Sequence, residues 1–273
     1  MGGGSYDYVA SRTRSVSYQK QTREEVFTQR HLDSQMNPRG VRIRESRDSE
    51  EHPESFPIII ALDETGSMGH IPELLIKNVL PDIMEAIINA GVPNPQICFM
   101  GIGDCNFNEE GPLQIGQFES SDELMEKWLT KIYLEGKGGG NRMESYPLAW
   151  YFADRHVVTD SWEKRHKKGV LITIGDEPCQ RILTKEQLDR YLDDGAEADV
   201  ISSELLERVK EKWHVFHIHC DGSRYGYRYN ETNWEKYLGI NAVTSKLEDG
   251  SDIAEIIPKL VISCYRDAQS IEE

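Results

Sequence analysis

Asp63, Thr65 and Ser67 place one carboxylate and two hydroxyls at alternate positions, directly after the apolar run Pro57-Ile-Ile-Ile-Ala-Leu62. Gly66 allows the tight turn that aims all three oxygen-bearing side chains at one centre. Two other loops carry similar chemistry. Gly136-Lys-Gly-Gly-Gly-Asn141-Arg-Met-Glu144-Ser145 is a glycine-rich stretch ending at an expected helix start, and Gly175-Asp176-Glu177 follows the apolar run Val170–Ile174. Carboxylates and hydroxyls without adjoining His or Cys describe a hard-cation site, for Mg²⁺ first and for Mn²⁺ or Ca²⁺ by the same chemistry. Mg²⁺ wants six oxygens at about 2.0–2.1 Å and keeps waters when the protein supplies too few, so such a site holds an open position. The plainer reading is a strand end followed by a capped helix, which Asp and Ser also make, with Glu144 as an ordinary helix-start glutamate.

The elements that must position these residues follow from periodicity. A continuous apolar run such as 57–62 suits a strand buried on both faces. The next segment repeats Ile71, Leu74, Leu75, Val79, Ile83 and Ile87 at helical spacing, with Pro72 in the first turn and Gly91 at the end. Strands are expected at Gln96–Gly103 and, antiparallel to it across the Asn-Phe-Asn-Glu-Glu-Gly stretch, at Leu113–Phe118. Helices are expected at Asp122–Leu134 and Glu144–Val157, then a strand at Val170–Ile174 and helices near 184–193 and 203–213. Strands at Val215–Cys220 and Asn241–Thr244 and a last helix carrying Ile253, Ile257, Leu260 and Val261 complete the chain. Strands alternating with helices imply a doubly wound α/β fold: a mostly parallel six-stranded sheet, one short antiparallel edge strand, and helices on both faces. Ligands bind such sheets at the carboxyl ends of the strands, where the Asp63 and Asp176 loops sit, while the glycine loop ends at a helix start.

The chain has 273 residues and a formal net charge of −16. That charge repels nucleic acid and anionic membranes. No apolar run approaches the roughly 18 residues of a membrane span. Met1-Gly-Gly-Gly-Ser5 lacks a secretory pattern, and five widely spaced cysteines suit reduced, buried thiols. A cytoplasmic protein is the expectation. Residues 1–55 are polar, with nine basic and nine acidic residues, so all of the net charge belongs to 56–273. They read as an N-terminal polar arm, largely disordered or docking on a surface, because so little apolar side chain offsets its ordering entropy. Within it Arg39-Gly-Val-Arg-Ile-Arg44 alternates as an edge strand would, although a solvated linker is the plainer reading. Residues 56–273 form the folded domain.

The motif Asp63-x-Thr65-x-Ser67 after the first strand, with Asp176 after a later one, resembles the von Willebrand factor type A (vWA) domain and its metal-ion-dependent adhesion site, over about residues 56–270. The resemblance implies that Asp63, Thr65, Ser67 and Asp176 bind the metal and that a partner's Asp or Glu completes its coordination. Many family members have Thr in a Gly-Gly-Thr second loop; this chain has Gly138-Gly-Gly140-Asn141 and then Glu144-Ser145, which looks like the GGGxxxE branch. Counted from Ala149, Glu144 takes the threonine's place, either as a ligand or through a water. Asp104, Asn141 and Ser145 would then stand in an outer ring, orienting ligands or waters. The resemblance further implies a non-enzymatic adaptor or assembly role, with a MoxR-type ATPase system as the partner class.

Other chemistry weighs less. Haloacid dehalogenase-type phosphatases place Asp-x-Asp-x-Thr after a first strand, but Thr65 stands where the second acid would be and cannot protonate a leaving group. A metal-dependent hydrolase using the same carboxylates stays open, since a metal and a water suffice for some hydrolysis. The glycine loop lacks the GK[ST] ending of a nucleotide-binding loop. His217 and His219 share a strand face and read as hydrogen-bonded core rather than zinc ligands. Arg224-Tyr-Gly-Tyr-Arg-Tyr229 is rich in interface-type residues.

Overall fold

The computed structural model describes residues 4–66, 68–106, 110–135, 143–221, 227–246 and 251–270. The N-terminal arm contains α1 (Tyr8–Tyr18), α2 (Arg23–Val26) and β1 (Arg44–Ser46). Then come β2 (Phe56–Asp63), α3 (His70–Leu74), α4 (Leu80–Asn89), β3 (Pro95–Ile102), β4 (Leu113–Ile115) and α5 (Asp122–Thr130). The second half runs α6 (Pro147–Arg155), β5 (Val157–Thr159), α7 (Asp160–Arg165), β6 (Gly169–Gly175), β7 (Ile182–Leu183), α8 (Lys185–Tyr191), β8 (Val200–Ile201) and α9 (Ser202–Lys212). It closes with β9 (Trp213–Cys220), α10 (Trp234–Leu238), β10 (Ala242–Ser245) and α11 (Ile253–Ser270).

The central sheet has six strands in the order β10-β9-β6-β2-β3-β4. All neighbours are parallel except β3 and β4, where Met100 faces Ile115 and Ile102 faces Leu113. Alternation along β2 explains the two layers of core. Ile58, Ile60 and Leu62 pack with α4, α5 and α11, whereas Ile59 and Ala61 pack with α6, α9 and α10. Every residue of β2 is buried, as a central strand covered on both faces requires. The fold is thus the doubly wound α/β sheet expected, antiparallel edge strand included.

Three local differences from the expected elements have physical causes. The helix after β2 is not continuous: Leu75–Val79 is π-helical between α3 and α4. Pro81 has no N–H to offer the carbonyl four residues back, that of Lys77. That carbonyl instead accepts from the side chains of Ser15 and Gln19 of the arm. The helix expected from Glu144 starts only at Pro147, where a proline's fixed φ favours the first turn. The edge strand expected at Arg39–Arg44 falls later, because Pro38–Gly40 is a 3₁₀ turn capped by Asn37. Arg44–Ser46 then pairs in parallel with Val157–Thr159, outside the main sheet.

The described part of the arm lies against the domain through both apolar side chains and charge: Val26, Phe27 and Met36 are buried in the core on one face of the sheet and Val41 in that on the other. Arg14 pairs with Asp122 and, at 2.6 Å, with Glu126. Arg23 pairs with Glu73 at 2.8 Å, and the buried Arg44 guanidinium donates to the Gly116 carbonyl at 2.6 Å. Asp48 accepts from Arg165, from the backbone and hydroxyl of Ser55, and from Lys164. Burial alone would raise the Asp48 pKa, but the Arg165 contact, the Ser55 bonds and Lys164 outweigh it and hold the carboxyl well below its usual range. A pKa depressed in the folded state stabilises fully above the unfolded carboxyl's value and loses that effect as pH falls through the folded one. Asp48→Asn should therefore cost about 1–3 kcal/mol at pH 7, the range for charged hydrogen bonds. Denaturant unfolding should show the two proteins converging as the pH falls below the ordinary carboxylate range.

Candidate metal centre

The strand register brings the Asp63 and Asp176 loops together, with Asp104 after the neighbouring strand. Asp63 at the end of β2 lies beside Ile102 at the end of β3, and Leu62 lies beside Ile174 at the end of β6. Asp63, Asp104 and Asp176 thus leave three adjacent strands at one edge of the sheet.

Asp63 is fully buried, and both of its carboxylate oxygens are engaged. Its Oδ1 accepts from the Thr65 backbone at 2.9 Å and from the Thr65 hydroxyl at 2.6 Å. Its Oδ2 accepts from the Tyr146 hydroxyl at 2.8 Å. The Thr65 hydroxyl spends its only hydrogen on Asp63, which leaves its oxygen lone pairs for another partner. The Thr65 carbonyl accepts from Met68 and Gly69, both at 3.0 Å, and so turns the chain into α3. Ser67 lies outside the described residues, as do Asn141 and the glycines of 136–140.

Glu144 and Ser145 are placed by other loops and not by a helix start. The Glu144 backbone donates to Pro178 at 3.1 Å and accepts from Gln180 at 3.2 Å, forming a parallel bridge with Cys179. The Ser145 hydroxyl donates to Gln180 at 2.7 Å and accepts from the Cys105 backbone at 3.0 Å. The reading of Glu144 as a routine capping glutamate is therefore replaced by one in which it stitches the second loop to the third. Asp104 accepts from the backbone and side chain of Asn106, both at 2.9 Å, in a local turn.

Charge is the dominant feature. Asp63, Asp104, Glu144 and Asp176 are all at most 4% exposed. Burial first, and then the charge of Asp176, raise the Asp63 pKa to about 7. Glu144 is raised well above its usual value by burial, and then by Asp63, Asp104, Glu177 and Asp176. Among the described residues its strongest charged neighbours are carboxylates, and its buried Oε2 has no hydrogen-bond partner among them. Among the described residues no three His, Cys, Asp or Glu side chains lie close enough to chelate one ion. The acids share a field without forming a chelating triad. Hydroxyls and waters would supply the remaining oxygens, a mixture that suits Mg²⁺. The donors present fit a hard divalent ion: two carboxylates on adjacent strand ends, the Thr65 hydroxyl, and a buried carboxylate oxygen on Glu144.

Tyr146 has no place in the site as read from sequence, where it falls inside the helix expected at Glu144–Val157. The available signal was Gly175. A Cβ there would overlap the Tyr146 phenol, so the glycine before Asp176 makes room for that ring. His217 and His219 are core residues. His217 stacks on Trp234 with centroids 3.5 Å apart and shares a hydrogen bond with the Thr173 hydroxyl at 2.9 Å. The His219 ring lies 2.8 Å from the Tyr227 carbonyl. Of the Arg224–Tyr229 stretch, residues 224–226 lie outside the described residues, and the Tyr227 backbone donates to Asp176 at 2.9 Å.

No family model matches the chain, and no curated protein does. Solved structures resemble it weakly. Proximal thread matrix protein 1 from the mussel byssus is 14% identical, with a TM-score of 0.49 over 77% of this chain and 48% of that one. A von Willebrand factor type A structure from Catenulispora acidiphila is 10% identical, with a TM-score of 0.46 over 77% of this chain and 43% of that one. Manganese-loaded TRAP protein of Plasmodium vivax is 11% identical, with a TM-score of 0.40 over 77% and 74%. The chain spans less than half the length of the first two.

Because the Tyr146 phenol fills the space in front of Gly175, Gly175→Ala forces a shift in packed surroundings. The expected cost is about 1–3 kcal/mol, typical of overpacking, read as a lower melting temperature.

Proposed function

We propose that this chain is a divalent-cation-dependent protein-binding module of the vWA type. Asp63, Thr65, Ser67 and Asp176 hold the ion, Glu144 assists directly or through a water, and a partner's Asp or Glu takes the remaining position. The observation that carries this reading is geometric: Asp63 and Asp176 leave adjacent strands fully buried, and the buried Glu144 has a carboxylate oxygen without a hydrogen-bond partner among the described residues. Such a cluster either takes up protons, as the raised pKa values of Asp63 and Glu144 indicate, or holds a cation that offsets its charge. Mg²⁺ is the ion of choice, with Mn²⁺ and Ca²⁺ as chemical alternatives. When bound, the ion supplies a fixed positive charge and an open coordination position. The protein's own part is to hold Asp63 with Thr65 and Tyr146, to seat Glu144 between two loops, and to bury both.

The module acts as an adaptor or assembly factor and not as an enzyme. A metal-dependent hydrolase using the same carboxylates is the alternative reading, since a metal and a water suffice for some hydrolysis. A cytoplasmic MoxR-type ATPase system remains the partner class that the family resemblance suggests. No helix among the described residues is long and apolar enough to cross a membrane.

Calorimetric titration with Mg²⁺ tests the reading. The wild-type chain should bind, and Asp63→Asn and Asp176→Asn should each abolish binding. Asp63→Asn keeps the side-chain shape and removes one repelling charge. In chelator it should melt no lower than wild type, yet lose the upward shift that Mg²⁺ gives. Partner capture that survives both chelation and Asp63→Asn would defeat the proposal, as would turnover of phosphoesters with Mg²⁺ or Mn²⁺. For Glu144→Gln we expect Mg²⁺ affinity to fall about tenfold, the lower end of the effect of losing a supporting group; an unchanged affinity would remove Glu144 from the site.

A further inference from the structure

We infer that Tyr146 is a specificity-determining positioning residue, which fixes the Asp63 carboxylate so that the centre takes a small octahedral ion in preference to a larger one. The inference rests on the cation-binding reading above.

Three donors reach the Asp63 carboxylate from two directions, Thr65 on Oδ1 and Tyr146 on Oδ2. Turning the carboxylate to present both oxygens to one ion would break at least one of these bonds inside a fully buried site. Asp63 can therefore offer a single lone pair or act through a water, and a bidentate grip is closed to it. Mg²⁺ and ions of its size accept that arrangement, with six oxygens at about 2.0–2.1 Å. Ca²⁺ takes six to eight at about 2.3–2.6 Å and commonly relies on a bidentate carboxylate. Thr65 fills both lone pairs of Oδ1 and Tyr146 takes one of the two on Oδ2. Among the described residues Tyr146 is the donor from outside the Asp63 loop, so its bond fixes the plane of the carboxylate and keeps it from turning both oxygens to a larger ion.

The phenol is itself held on several sides. Gly175 leaves room only for the ring. His217 and Trp234 meet it edge-on, each with centroids 5.2 Å away, and those two rings stack on each other. The Glu177 backbone approaches the phenol oxygen at 3.4 Å, and the Glu177 carbonyl accepts from the Trp234 indole at 3.0 Å. Tyr146 thus joins the loop of Asp63 to the loop of Asp176, so its ring sets the carboxylate with little freedom.

The test is titration of wild type, Tyr146→Phe and Tyr151→Phe with Mg²⁺ and, separately, Ca²⁺, with melting in chelator to confirm folding. Tyr151 is the control, since its hydroxyl donates to Asp194 at 2.8 Å and loses the same atom on substitution. Wild type and Tyr151→Phe should prefer Mg²⁺. Tyr146→Phe should lose about tenfold in Mg²⁺ affinity, in the range for supporting partners, with Ca²⁺ affinity unchanged or higher, so that the preference narrows by at least that factor. If Tyr146→Phe does not fold, Gly175→Ala below its melting temperature displaces the same phenol and should narrow the preference likewise. A preference unchanged by displacing the phenol, or narrowed equally by Tyr151→Phe, overturns the inference while leaving the cation reading intact. A wild-type chain that binds neither ion overturns both.

Discussion

Burying like charges together is the constraint around which the rest of this molecule is arranged. Asp63, Glu144, Asp104 and Asp176 are each removed from water, and among the described residues the charges that raise the Asp63 and Glu144 pKa values are carboxylates. Isolated, each would cost several kcal/mol. Hydrogen bonds recover part of this, from Thr65 and Tyr146 on Asp63 and from Asn106 on Asp104. What they cannot do is balance charge. A divalent ion can, and this is the physical basis of the proposed cation-binding role.

The parallel sheet makes such a cluster feasible. Three neighbouring strands end in register at one edge, so short loops from distant parts of the sequence meet there. Helices cover both faces with apolar side chains, which lowers the dielectric around the edge and magnifies every charge on it. Charge is handled differently on the outside. The described arm residues are held by ion pairs with α4, α5 and α7, such as Arg12 with Asp82 and Arg47 with Asp160. These pairs are partly exposed and individually worth little, but they accompany buried contacts such as that of Arg44. The Lys77 carbonyl, which Pro81 cannot serve, also ties the arm to the helix leaving the Asp63 loop.

The sheet and the Asp63 and Asp176 loops were legible in the sequence because their signals are local. Continuous apolar runs end in Gly-Asp or Asp-x-Thr, and burial on two faces leaves no polar alternation to confuse the reading. The packing of the arm was not legible, since ion pairs such as Arg14 with Asp122 join residues a hundred positions apart and impose no periodicity. Glu144 was recognised as an oxygen donor, but its support was misplaced: the bridge to Cys179 depends on a long-range contact that no spacing rule encodes. Tyr146 was hidden by its own chemistry. Its ring belongs to the core and reads as such, while its hydroxyl belongs to the site. The π-helical segment had a cause in plain view, Pro81, whose effect depends on a carbonyl finding donors elsewhere.

Diffraction from crystals grown or soaked with Mn²⁺, collected at the manganese absorption edge, would locate the ion itself. The structure leads to an anomalous peak at the carboxyl edge of the sheet, bounded by Asp63, Thr65 and Asp176 and lost in crystals of Asp63→Asn. A fully substituted crystal with no peak there, or with its peak elsewhere on the molecule, would contradict the assignment of these buried carboxylates to a cation.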